Sequence, residues 1–156
     1  MKVLVVLLVG TMLMAGDTLP NFLDAYSDCH AALAGDTLEE AKSALEKLEK
    51  ETLGMHADHL SAPAQKAWSD GVEQLKTAIK NGRAAADLEG VRKEFESIAT
   101  VAISLADAAH IHGWTTFHCG MAFDGKGASW LQKGQVANPY FGSAMLRCGT
   151  AQPHKH

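Results

Sequence analysis

No basic stripe runs through this chain of 156 residues, and its formal net charge is -4. Proteins that bind nucleic acid draw much of their affinity from phosphate contacts, so that class is excluded as the main activity. The chain has no Cys-x-x-Cys pair, which removes covalent haem attachment, a dithiol redox centre and a zinc knuckle built on close cysteine pairs. There is no His-Glu-x-x-His, no glycine-rich phosphate loop and no nucleophile elbow. Nothing supplies a nucleophile with its base, and the expectation is that the protein is not an enzyme. A long hydrophobic run is missing too. The longest, Val3 to Gly16, falls short of the roughly 17–25 residues that a membrane-spanning helix needs.

What that run does match is a secretion leader. Lys2 gives the positive start, the apolar stretch follows, and Ala15-Gly16 supply small residues where cleavage is expected. The cleavage box is imperfect, with Leu13 or Met14 where a small residue is preferred. No cysteine follows the run, which argues against lipid attachment. Residues 1–16 are therefore expected to be a signal peptide and residues 17–156 a single helical domain working outside the cytoplasm, with no stable membrane insertion after cleavage. Its three cysteines, Cys29, Cys119 and Cys148, meet an oxidising environment. Three is odd, so at least one is free, bridges two chains or holds a metal. Cys29 reads as a buried free thiol, with a dimer bridged through it as the alternative.

Hydrophobic residues make up 47% of the chain and charged ones 21%, a balance that predicts a folded core. Leu19, Phe22, Leu23, Tyr26 and Leu33 recur at helical spacing and predict a first helix from Thr18, ended by Gly35-Asp36. Thr37-Leu38-Glu39-Glu40 reads as a capping box opening a second helix with the stripe Leu38, Ala41, Leu45 and Leu48. After a break over Gly54 to Leu60, Ser61-Ala62-Pro63 starts a third, closed by Asn81-Gly82. Asp87 caps a fourth, which carries Val91, Phe95, Ile98, Ala102 and Leu105 and runs to the region of His110 to Gly113. The expected fold class is all-α, a small antiparallel bundle of about four helices. Beyond Gly113 the periodicity stops. Glycines and aromatics crowd residues 114–149 into an expected irregular cap, with one helical turn at Ala128 to Leu131.

That cap holds the most distinctive chemistry. Cys119 and Met121 are two apart, sharing a face in extended backbone, and Met145 and Cys148 are three apart, sharing one on a helical turn. Thiolate and thioether are soft ligands that together select Cu(I). His118 adds a nitrogen beside them, and His110 belongs to the same end of the bundle. Two other readings stay open. Cys119 and Cys148 form a disulfide in a structural or protein-interaction module whose methionines fill gaps around the aromatics. Alternatively His110 and His118 bind Cu(II) or Zn(II). His56 and His59 read as a solvated inter-helix turn, and His154 and His156 as a polar tail that binds metal only adventitiously.

The stretch His118-Cys-Gly-Met-Ala-Phe-Asp-Gly-Lys-Gly-Ala-Ser-Trp-Leu131, followed by Asn138-Pro-Tyr-Phe-Gly-Ser-Ala-Met-Leu-Arg-Cys-Gly149, resembles the signature of the DUF3347 family. A looser likeness extends to the helices around Tyr26–Asp36 and Asp87–Leu105. The family pattern commonly has a proline between the cysteine and the methionine; here Gly120 stands there. The resemblance implies a periplasmic protein of copper resistance or trafficking, with Cys119, Met121, Met145 and Cys148 as ligands and Trp130, Asn138, Pro139, Tyr140, Phe141 and Gly142 as their frame. The partner it implies, besides the metal ion, is a periplasmic efflux or metallochaperone protein.

Overall fold

Four helices form where the apolar stripes predict them. The computed structural model describes residues 18–153; the signal peptide expected at 1–16 and the histidines at 154 and 156 lie outside the described residues. The helices are α1 (Thr18–Ala34), α2 (Leu38–Leu53), α3 (Ala62–Ala84) and α4 (Leu88–Ala108). Each buries the predicted face: Phe22, Leu23, Tyr26 and Leu33 from α1, Leu45 and Leu48 from α2, Leu75 and Ile79 from α3, Phe95, Ile98 and Leu105 from α4. Trp68 meets Phe22 edge-on at 5.9 Å and ties α3 to α1. Gly71 and Gly82 let helices approach closely, since an added Cβ would press on Val101 at 3.0 Å and Leu45 at 2.9 Å.

The helix starts follow local chemistry with one departure. Asp87 accepts from the Gly90 amide at 2.8 Å, a true N-cap. Pro63 sits in the first turn of α3, where it costs no helical hydrogen bond. Thr37 does open α2, but its hydroxyl donates to Glu40 and to the Ala32 carbonyl instead of accepting a helix amide. Neither reciprocal bond of the expected capping box forms, since the Thr37 amide donates to the Ala32 carbonyl and Glu40 accepts from the Thr37 hydroxyl. The break between α2 and α3 holds one short 3-10 turn, Ala57–His59.

The fold class needs correction at the cap. The molecule is mostly helical, but residues after Gly113 build a three-stranded antiparallel sheet of order β2-β1-β3. Its strands are β1 (Thr115–Cys119), β2 (Ala128–Gln132) and β3 (Thr150–Ala151). The helical turn expected at Ala128 to Leu131 is β2. Alternation explains the difference. Phe117 and Cys119 are buried while His118 between them is half-buried, a period of two too short for a helical stripe to compete.

Paired residues share a face of the sheet. Phe117 lies opposite Trp130 and stacks on it at 5.8 Å, and His118 lies opposite Ser129. One face looks at α4 through Thr116 and Ser129; the Trp130 face is covered by the loop that carries Val136 and Gly149. β2 is an edge strand, and two tyrosines occupy its open side. Tyr26 accepts from the Leu131 amide at 2.9 Å, and Tyr140 donates to the Ser129 carbonyl at 2.6 Å. Their hydroxyls stand where a neighbouring strand would pair, which closes the edge.

Candidate functional site: the methionine groove beside the Cys119–Cys148 bridge

β1 ends at Cys119, and the chain turns at once. Met121 has helical backbone angles, φ -90° and ψ -13°, so the shared extended face expected for Cys119 and Met121 does not form. Cys119 points into the core at 1% exposure, whereas Met121 is 60% exposed. The next residues, Ala122–Gly125, make a turn in which Phe123 (φ 52°), Asp124 (φ 57°) and Gly125 (φ 83°) are all left-handed. For an L-residue as bulky as phenylalanine that conformation costs about 1–3 kcal/mol. It is held in place by Phe123 packing edge-on against Tyr140 at 5.2 Å and by the Gly127 amide donating to the Ala122 carbonyl at 2.9 Å.

The second half of the site comes from the loop after β2, which one side chain organises. Asn138 is fully buried; its Oδ1 accepts from the Tyr140 and Phe141 amides and its Nδ2 donates to the Cys148 carbonyl. A single 3-10 turn, Gly142–Ala144, follows and delivers Met145. Met145 and Cys148 do not share an α-helical turn; the Cys148 amide closes a tight turn on the Met145 carbonyl at 2.9 Å.

Cys119 and Cys148 are joined as a disulfide, with Cα atoms 5.8 Å apart. In this state neither sulfur is a free thiolate. The bridge ties the Met121 turn to the Met145 turn, and the two thioethers line one open groove of about 800 Å³. Its walls are the Glu89, Arg92, Lys93 and Glu96 face of α4, Phe123 with Asp124 and Lys126, and Tyr140 with Phe141. Sequence reasoning missed the α4 wall. Its four residues fall at helical spacing, but the same spacing marks any solvated helix face.

The remaining candidates are placed as follows. His118 hydrogen-bonds through Nδ1 to Ser129 Oγ at 3.0 Å, and its Cε1 and Nε2 crowd the space over Gly127, 2.8 Å from where a Cβ would stand. Its Nδ1 is thus engaged by Ser129, and its Nε2 edge packs over the Gly127 backbone. His110 is exposed at the end of α4 in left-handed backbone, φ 53°. His56 and His59 stack at 5.5 Å on the surface turn. Among the described residues no three His, Cys, Asp or Glu side chains gather as a metal site. Cys29 is fully buried, and burial pushes its thiol up to about 12; a bridge to another chain would require α1 to leave the core.

Three polar ties seat the cap on the bundle, besides Tyr26 and its own link to Leu131. Arg92 donates from Nε to the Pro139 carbonyl at 2.9 Å and from Nη2 to Asp36 at 2.6 Å. Asp36 accepts the Ser143 amide at 2.9 Å. His30, buried in α1, contacts the Ala137 carbonyl through Nε2 at 2.8 Å. Burial lowers the His30 pKa below its ordinary value, and the hydrogen bonds to Ala137 and Gln132 oppose that. The ring is held neutral, the form in which one nitrogen donates.

Among the described residues no helix is long and apolar enough to cross a membrane. No curated protein and no solved structure matches the chain. A family match covers residues 22–112, more than half of the chain, with the description "Protein of unknown function (DUF3347)". It spans the bundle and stops before Cys119, so the cap residues that first carried the resemblance lie outside the matched range. By the extent of that match, the chain belongs to the DUF3347 family.

Proposed function

We propose that the protein binds Cu(I) outside the cytoplasm, through the thioethers of Met121 and Met145, and sequesters it or hands it to a periplasmic partner. The observation that carries this reading is that both methionines line one groove, Met121 at 60% exposure. Methionine elsewhere fills gaps in cores. An exposed thioether paired with a second across a groove is what a soft cation accepts. Two thioethers leave coordination positions open for an incoming ligand, which suits transfer by exchange with no change of oxidation state. The disulfide acts as the frame in this form. Reduced Cys119 and Cys148 would be additional ligands, as the sequence reading had them.

The test is a Cu(I) titration of the disulfide-intact protein against a competing chromophoric chelator. About one equivalent is expected, with affinity falling at least ten-fold in the Met121→Ala, Met145→Ala double variant. Full affinity in that variant sinks the thioether reading. A second reading has the bridge itself in its favour: a disulfide-framed interaction module in which the groove takes a protein segment. It predicts no stoichiometric Cu(I) uptake by either redox form.

A further inference from the structure

The two thioethers of the groove are held by different means. Met121 belongs to a turn fixed within the cap, by Phe123 against Tyr140 and by the Gly127 amide on the Ala122 carbonyl. Met145 follows the single 3-10 turn Gly142–Ala144 with φ -145° and ψ 51°, in no regular element. That turn is gripped from the bundle. The Ser143 amide donates to Asp36 Oδ2 at 2.9 Å, across 107 positions of sequence.

Asp36 stands in the turn after α1 at φ 59°, a left-handed conformation that aspartate tolerates. Its other oxygen accepts from Arg92 Nη2 at 2.6 Å. The same guanidinium donates to the Leu33 carbonyl at 2.9 Å and to the Pro139 carbonyl at 2.9 Å, and the side chain is only 15% exposed. One carboxylate and one guanidinium thus join the end of α1, the wall of α4 and both sides of the Gly142 turn. The approach is close enough that a Cβ on Gly142 would fall on the carboxylate. Arg92 lines the groove beside Met145, whereas Asp36 is not one of its walls.

We infer that Asp36, a residue of the bundle, is a positioning residue for Met145, which it holds against Met121 through the Ser143 amide and Arg92. The inference rests on the thioether reading of the groove and makes the bundle part of the site. The disulfide fixes the chain beyond Met145, at Cys148, and Asp36 fixes it before Met145, at Ser143. The thioether is carried between these two anchors. Charge-assisted hydrogen bonds are the stronger kind, and groups that hold a metal's ligands in place commonly change its affinity about 10–100-fold when removed.

Two substitutions test this. Asp36→Gly removes the carboxylate and suits the left-handed backbone. Asp36→Asn keeps the shape but offers one acceptor oxygen where Ser143 and Arg92 each need one. In Cu(I) titration of the disulfide-intact protein against a competing chelator, affinity is expected to fall at least about ten-fold in Asp36→Gly, and by less in Asp36→Asn. In the metal-free protein, the Met145 methyl resonance moves toward its position in an unfolded chain while that of Met121 stays; a general loss of stability moves both. Helical circular dichroism follows the bundle, and Asp36→Asn carries the same comparison if Asp36→Gly does not fold. Wild-type affinity in the variants, or methyl resonances that move together, overturns the inference. Cu(I) uptake that is lost in Met121→Ala with Met145→Ala but unchanged in the Asp36 variants overturns it alone. Absence of Cu(I) uptake by the wild-type protein overturns the thioether reading as well.

Discussion

Arg92 on α4 and Asp36 in the turn after α1 meet at 2.6 Å where the cap lands on the bundle. The other carboxylate oxygen of Asp36 takes the Ser143 amide. Hydrogen bonds from Ser143, then from Arg92, lower the Asp36 pKa to about 2. The folded value lies below the ordinary 3.8, so the contribution is complete above that and is lost as pH falls toward 2. Cap docking, followed by the fluorescence of buried Trp130, is expected to weaken over that acid window. Asp36→Asn flattens that limb. His30 acts in a different window. Its lowered pKa means its stabilising contribution is full above about 6.5 and declines as pH drops below. Asp36→Asn leaves that higher limb in place, and an unaltered acid limb in the variant would remove Asp36 from the account.

Gly142 presses directly on this pair. Its φ is +55°, and an added Cβ would fall on the Asp36 carboxylate and within 2.6 Å of the Arg92 guanidinium. Gly142→Ala therefore combines backbone strain with loss of the tie, at a cost of about 2–4 kcal/mol. Urea unfolding measures it. Gly120→Ala is the control, because nothing lies within 4 Å of its Cβ position, and a Gly142→Ala cost no larger than the control's would refute the contact.

Tyr26→Phe keeps the ring stacked on Phe95, 5.2 Å between centroids, and removes only the hydroxyl. The buried Leu131 amide is then left without its acceptor, which costs about 1–3 kcal/mol. Hydrogen exchange at Leu131 should accelerate by one to two orders of magnitude while the helix amides far from α1 stay protected. Unchanged exchange at Leu131 would show that water or another acceptor replaces the phenol.

The Cys119–Cys148 bridge closes a loop with a sequence separation of 29. Chain entropy alone predicts a stabilisation of about 3–4 kcal/mol for a loop of that length. Replacing both cysteines by serine should lower the unfolding free energy by that order. The expected cost falls on the cap first, so Trp130 fluorescence should change at lower denaturant than the helical circular dichroism signal. Coincident transitions shifted by less than about 1 kcal/mol would argue that the bridge restrains little.

The bundle was legible because its signals are local. Stripes such as Val91, Phe95, Ile98 and Leu105 specify a buried face from within one helix, and Asp87 or Pro63 mark an end by their own chemistry. The sheet was not legible, because β1 offers only five residues and its partner β2 follows a left-handed turn whose Phe123 is a poor candidate for positive φ. At the site, Met121 and Met145 line one groove because the Cys119–Cys148 bridge ties their two turns together. The face each was expected to share with its neighbouring cysteine does not form, because that expectation assumed regular backbone on both sides of a turn. The groove's α4 wall depends on contacts between distant segments, and Arg92 looks like any solvated arginine until Pro139 is placed beside it.

The tie from Tyr26 to Leu131 spans 105 positions, and it sets an order of events for a chain made from its N-terminus. α1 is complete long before the strand that answers its phenol has been synthesised. Until then Tyr26, His30 and Arg92 present polar atoms whose partners are not yet made. The four helices can collapse early on their own local pattern, but their interface with β2 stays wet. Closure therefore waits on the last third of the chain, and a nascent bundle is a ready client for whatever holds it in the meantime.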